Sequence, residues 1–266
     1  MQIIHYLQAQ LAEPEAHTLP NGTVVVYCAP AHEKETANED AAALVGIEPD
    51  SCVLIVADGV GGHQAGKEAA RITIESITES IRKSHTSDSL RGPILDGIES
   101  ANKQILARGV GAASTVVVAE IQQRQLRTYY VGDSLILLIG QRGKLKFQNT
   151  AHSPVGYALQ SGFIDEEEAI HHEERNLISN VIGTAEMSIE VGPVLEISPR
   201  DTLLLSSDSL PDNLYVDEII GQVRAGNLQK VAANLTDAVN QRMQNPEPGH
   251  PSHNDDFTFI LYRNKN

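Results

Sequence analysis

The stretch Val53 to Gly66 reads VLIVADGVGGHQAG: five apolar residues, then Asp58, then four glycines within eight positions. An apolar run with no polar alternation suits a strand covered on both faces. Gly59, Gly61, Gly62 and Gly66 tolerate positive φ and leave backbone room for a ligand. Lys67 to Arg82 is then predicted as a helix with Ala70, Ile74, Ile77 and Ile81 on one face. An acidic side chain thus stands at the mouth of a Gly-rich strand-to-helix turn. Asp before Gly is also a common turn signal, so the weight falls on recurrence.

The pattern recurs. Leu126 to Asp133 (LRTYYVGD) and Thr202 to Asp208 (TLLLSSD) are apolar runs that end in Asp, whereas Asn254, Asp255 and Asp256 precede the run Phe257 to Tyr262 (FTFILY). Strand ends and strand starts share an edge when neighbours run antiparallel, which would gather Asp58, Asp133, Asp208 and Asp255 at one rim.

Composition bounds the class. The chain has 266 residues, 41% of them hydrophobic, with 20 Gly and 12 Pro, enough for one large domain or two small ones with ample core. A formal charge of −15 argues against nucleic acid and anionic membrane as partners, since phosphate backbones are bound through an excess of Lys and Arg. Cys28 and Cys52 form no CxxC pair and lie beside apolar runs, as reduced core residues of a cytoplasmic protein do. The N-terminal stretch has neither a basic start nor an uninterrupted apolar block, and no run approaches the length of a membrane span.

Along the chain, Thr23 to Ala29 reads as a strand, and Glu39 and Asp40 precede a second short one, Ala41 to Val45. After a Ser/Thr/Asp-rich break at Ser84 to Ser89, Leu90 to Arg108 has helical periodicity. From Ser114 to Asn149, four short apolar runs separated by turns predict one antiparallel meander. Ala151 to Glu190 is more polar, and its Asp165 to Glu174 is predicted as a solvated helix. His171 and His172 point about 100° apart on a helix and cannot grip one metal together. Further helices are expected over Leu214 to Val223 and Asn227 to Arg242. His250 and His253 lie near Asp255 but on a loop, where a surface role is the simpler reading. Helices set between groups of antiparallel strands predict an α+β fold of layered sheets.

Carboxylates crowded on one rim repel, at roughly 4 kcal/mol per pair for about 4 Å and an effective dielectric near 20. Cations offset this. An all-oxygen ligand set suits Mg2+ or Mn2+, and two such ions bridged by one Asp can activate water against a phosphate ester.

The same residues resemble the metal-dependent protein phosphatases of the 2C type, the PPM family, in order along nearly the whole chain. The matching segments are NED (38–40), ADGVGGHQAG (57–66), ASTVVVA (113–119), YVGDS (130–134), HSPVG (152–156), SSDSLPDNL (206–214) and DDFTFI (255–260). The resemblance implies a single bacterial-type domain over residues 1–266: a four-layer αββα sandwich of two antiparallel sheets flanked by helices, with residues 151–190 as a flap near the metal site. It implies that Asp58 bridges two ions, with the Gly59 carbonyl on one and Asp208 and Asp255 on the other. Asp133 would join Asp208 on a third ion, and Glu39 and Asp40 would act through water. The implied activity is hydrolysis of phosphoserine and phosphothreonine in a protein substrate by water that the metal activates, with a monomer the simplest state.

Departures lie on the substrate side. Where the family carries an Arg five residues before the Asp of its first motif, this chain has Glu35, with Lys34 beside it as a candidate for substrate phosphate. Lys cannot form Arg's bidentate fork. Leu135, Ala151 and Ser209 replace the Arg, Asp and Gly of three other motifs, and Val60 stands where eukaryotic members have a His. Two other readings follow from the residues. Gly61 to Lys67 fits GxxxxGK, but Glu68 stands where a phosphate loop needs Ser or Thr, and Gln64 spoils a GxGxxG fingerprint. Glu35 also allows a phosphatase-like module that binds a phosphoprotein with little or no turnover.

Overall fold

The structure is a computed structural model, and it describes residues 1–60, 63–84 and 89–265. In chain order the first strands are β1 (Gln2–Leu7), β2 (Glu15–Leu19), β3 (Gly22–Ala29), β4 (Ala41–Ile47), β5 (Ser51–Ala57) and β6 (Gly59–Val60). Helices α1 (His63–Lys83) and α2 (Arg91–Arg108) follow, then β7 (Ala113–Ser114), β8 (Val116–Gln122), β9 (Gln125–Val131), β10 (Leu135–Ile139) and β11 (Leu145–Gln148). The flap carries α3 (Pro154–Gln160) and α4 (Glu166–Ile170). Last come β12 (Glu190–Val191), β13 (Leu195–Glu196), β14 (Thr202–Ser206), α5 (Val216–Val223), α6 (Leu228–Gln244) and β15 (Phe257–Asn264).

These strands form two antiparallel sheets. The first has the order β1-β4-β5-β8-β9-β12, with β13 also on β9, and the second the order β11-β10-β14-β15-β3-β2. Alternation along each strand sorts side chains into three cores. Leu44, Leu54, Val56, Val117, Leu205 and Ile260 pack between the sheets. Val53, Ile55 and Val118 turn outward onto Ile74, Ile77 and Ile98 of α1 and α2, and Val25, Leu204 and Leu261 turn onto Leu235 and Val239 of α6. Each fully buried aliphatic side chain contributes about 1.5–3 kcal/mol, so the expected αββα layering is held by three apolar interfaces. Among the described residues no helix is long and apolar enough to cross a membrane.

Three expectations are corrected. The meander does not stay in one sheet: β8 and β9 pair in the first, whereas β10 and β11 pair in the second. The chain crosses between sheets at Gly132, whose φ of +104° an L side chain rarely adopts and whose added Cβ would lie 2.6 Å from Thr115 Cβ. The strand expected from Ser114 is broken at Thr115, which leaves the ladder to bond the Asp58 turn. The helix expected over Asp165 to Glu174 contracts to α4, closed by a capping box between Asp165 and Glu168. Strands β1 and β2 and helix α3 were not anticipated. The readings that rest on Gly61, on Gly62 and on most of the break from Ser84 to Ser89 lie outside the described residues.

Candidate metal centre

Antiparallel register brings the acidic strand ends to one rim. Ala41 opposes Ala57, so Asp40, just before β4, and Asp58, just after β5, share an edge. Val116 opposes Val131, which brings Gly132 and Asp133 to the same side of the first sheet. In the second sheet Leu135 opposes Ser206, Ser206 opposes Phe259 and Phe257 opposes Ala29. Asp208 therefore leaves the second sheet at the edge where Asp133, Asp255 and Asp256 enter it.

The electrostatics show that these groups face one another. Burial raises the Asp58 carboxyl well above its ordinary range, and Asp208, Asp40, Asp133 and Asp255 add to the rise. Asp208 is raised by burial and then by Asp133, Asp212, Asp255 and Asp40. Asp40 is raised by burial and then Asp256, against hydrogen bonding from Thr258 and Ser207. Burial pushes Asp133 up to about 6. Burial also raises Asp255, while the Asp256 N–H, His253 and Lys34 pull it down. Every expected aspartate belongs to this one field. Asp212, which the sequence reading left without a role, belongs to it as well.

Hydrogen bonds hold the turns that carry these groups. Thr115 N donates to Asp58 O at 2.8 Å, Asp58 N donates to Thr115 Oγ1 at 3.3 Å, and Thr115 Oγ1 lies 2.7 Å from Ser134 Oγ. One threonine thus ties the Asp58 turn to the Asp133 turn. Asn149 fixes the far side of that turn, accepting from Ile136 N and donating to Ser134 O. Gly59 and Gly66 must both be glycine here: a Cβ on Gly59 would lie 2.2 Å from Gly66 O, and one on Gly66 would lie 2.8 Å from Glu39 Oε1. Ser209 donates to the Asp256 carbonyl, and Asn213 donates to His253 O and accepts from His253 N. The Asp208 loop is in this way stitched to the approach to β15. His253 faces the rim, with Nδ1 3.5 Å from Asp212 Oδ2 and 3.9 Å from Asp255 Oδ2.

Lys34 reaches the rim through carboxylates. Its Nζ lies 2.8 Å from Glu39 Oε2 and 2.7 Å from Asp256 Oδ2, while Glu35 is exposed. The flap is anchored at both ends beside Asp133. Gly132 N donates to His152 Nδ1 at 3.1 Å, so Nε2 carries the ring proton, and it lies 3.2 Å from Glu190 Oε2. A separate hollow of about 680 Å³ lies within the flap, lined by Asp165, Glu167, Glu173 and Glu174 with His171 and His172. It is not the rim, and its carboxylates lie on α4, its N-cap and the turns that follow it.

Among the described residues no group of three or more His, Cys, Asp or Glu side chains is close enough, as it stands, to hold an ion. The rim nevertheless fits a hard divalent cation in its donors. They are oxygens, and Asp40 Oδ2 and Asp133 Oδ1 are buried with no hydrogen-bond partner.

Comparison with known proteins agrees with this geometry. The family model for protein phosphatase 2C matches residues 30–253. The serine/threonine phosphatase stp of Listeria welshimeri is 30% identical over 183 residues, 65% of this chain and 72% of that protein. The protein phosphatase PhpP of Streptococcus pneumoniae strain D39 is 31% identical over 196 residues, 70% and 78% of the two chains. The solved serine/threonine phosphatase of S. agalactiae superposes with a TM-score of 0.79 at 25% identity, covering 91% of this chain and 99% of that one. The catalytic domain of PstP, solved in complex with two manganese ions, shares the fold with a TM-score of 0.74 at 20% identity over 92% of this chain and 99% of its own. With acidic strand ends from both sheets on one rim and the family match running from residue 30 to residue 253, through Asp40, Asp58, Asp133 and Asp208, the chain belongs to the protein phosphatase 2C family.

Proposed function

We propose that this chain is a metal-dependent serine/threonine phosphoprotein phosphatase that hydrolyses phosphate monoesters by direct attack of water. The observation that carries the reading is the mutual field of Asp58, Asp208, Asp255, Asp133 and Asp40 at a rim common to both sheets. Asp58 with the Gly59 carbonyl would hold one Mg2+ or Mn2+ and, with Asp208 and Asp255, a second; Asp133 and Asp208 would serve a third. Glu39 and Asp40 would act from the outer layer through water. Bound ions would supply an activated water and neutralise the charge that develops on the phosphoryl oxygens. The protein's part is to hold the carboxylates in place through Thr115, Ser134 and Ser209, while bound ions would favour their ionised form against the burial that raises them.

We read residues 1–266 as one catalytic domain whose flap, 151–190, shapes access by a phosphorylated protein. No role for nucleic acid or a membrane is proposed. Cys28 and Cys52 are free and buried, in keeping with a reducing cytoplasm and a monomer acting there. The test is turnover of p-nitrophenyl phosphate and of a phosphothreonine peptide with Mn2+ and with EDTA. Turnover with Mn2+ alone is expected. Tight Mn2+ binding without turnover would instead favour a phosphoprotein-binding module, the reading that Glu35 in place of an arginine motivates.

A further inference from the structure

Lys34 is bonded into the rim's carboxylates, and its surroundings are closed. Its side chain is 15% exposed, and those of Glu39 and Asp256 are 14% and 4% exposed. Asp256 Oδ1 accepts from Ala31 N at 2.8 Å, and Oδ2 accepts from both Glu39 N and Lys34 Nζ. His32 N donates to Asn254 Oδ1, and Asn254 Nδ2 donates to His32 O. The loop that carries Lys34 is therefore fastened along its length to the chain entering β15. Two of the ammonium's three donors are committed. Swinging it out to a substrate phosphate would break both ion pairs and take the ammonium away from Asp256, whose side chain is almost wholly buried. Its charge also acts on the neighbouring Asp255.

We propose that Lys34 is a resident cation of the metal centre: it neutralises Glu39 and Asp256, holds both in place, and by its positive charge weakens divalent-ion binding at the Asp255 corner. This rests on the metal-site reading above. Lys34 is a positioning and tuning residue that does not touch substrate, and it sets how readily the chain gives up its ions.

The test is calorimetric titration with Mn2+ of the wild type, Lys34→Gln, Lys34→Arg and the double variant Lys34→Gln/Asp256→Asn, each first checked for a single thermal transition in EDTA. Removing one positive charge near a divalent ion should lower the Kd of Lys34→Gln by roughly tenfold. Lys34→Arg keeps the charge and should match the wild type. The double variant removes one charge of each sign and should return toward it, so the effect is read even if the single variant folds poorly. KM for p-nitrophenyl phosphate should stay within about twofold, because the ammonium is not a phosphate ligand in this account. Unchanged or weaker Mn2+ binding by Lys34→Gln would overturn the inference. So would unchanged Mn2+ binding with a raised KM, the signature of a phosphate clamp. A wild type that binds no Mn2+ would remove the metal-site reading itself, and this inference with it.

Discussion

The rim and the flap are both acidic, yet they are built in opposite ways. Rim carboxylates sit at the ends of buried strands, and ladder register fixes them although the chain separates them by up to 215 positions, from Asp40 to Asp255. Most flap carboxylates cluster on the five-residue α4, closed by its own capping box, and on the exposed turns around it. In the first region negative charge is concentrated against a low-dielectric wall, which calls for a cation. In the second it is spread into water, where it costs little and is structurally replaceable. Acidity alone therefore says nothing about a site; the strand behind it does.

Substitutions should separate the two regions, most strongly at the rim. Asp58→Asn keeps the shape and removes the charge proposed to bridge two ions, so activity should fall by more than about a hundredfold, beyond what outer-layer changes usually cost. Near wild-type turnover would refute the role. Thr115→Val leaves Ser134 Oγ and Asp58 N without a partner that they now have. It should cost about 1–3 kcal/mol, seen as a melting temperature lower by roughly 2–6 °C, and activity should fall by roughly 10- to 100-fold.

A smaller effect is expected from pH in EDTA. The folded chain keeps the Asp133 proton up to about pH 6, whereas the unfolded chain releases it near the ordinary value of 3.8. Between these values the folded state binds more protons. The resulting stabilisation is present in full below about pH 4 and is lost as pH rises through about 6. The melting-temperature difference between the wild type and Asp133→Asn should therefore drift against the wild type from pH 4 to pH 7 in EDTA. Mn2+ should reduce that drift, since ligation needs the ionised carboxylate. A difference that moves the other way would show that Asp133 is not held in the buried acidic field. The smallest effect belongs to the flap. Asp165→Ala removes a cap worth about 1 kcal/mol to α4, but in so exposed a segment the melting temperature should move by less than about 2 °C.

The contrast also explains which features could be read from the sequence. Strands β5, β9, β14 and β15 were legible because each is a mainly apolar run bordered by an acid, and Asp58, Asp133, Asp208 and Asp255 came with them. The division of the meander was not, because β9 and β10 both read as strands and periodicity does not say which sheet a strand joins. Only the strained glycine at Gly132 marks the crossing. Asp256 was obscured by Asp255, although adjacent residues on an extended chain point to opposite sides, so one of the pair needed a partner elsewhere. That partner, Lys34, lies 222 positions away on a loop without periodicity. Thr115 was visible only as part of a strand, since a β-branched residue fits the pleat well and nothing local shows that it turns to the Asp58 backbone. Edge strand β1 was missed because its burial is partial and its alternation weak.

The most direct measurement is a crystal structure of the protein grown or soaked with Mn2+, read by anomalous scattering at the manganese edge. The account predicts anomalous peaks bounded by Asp58, Asp208 and Asp255, with the Gly59 carbonyl on one of them. Well-ordered crystals with no peak at this rim, or with manganese bound only elsewhere, would contradict it.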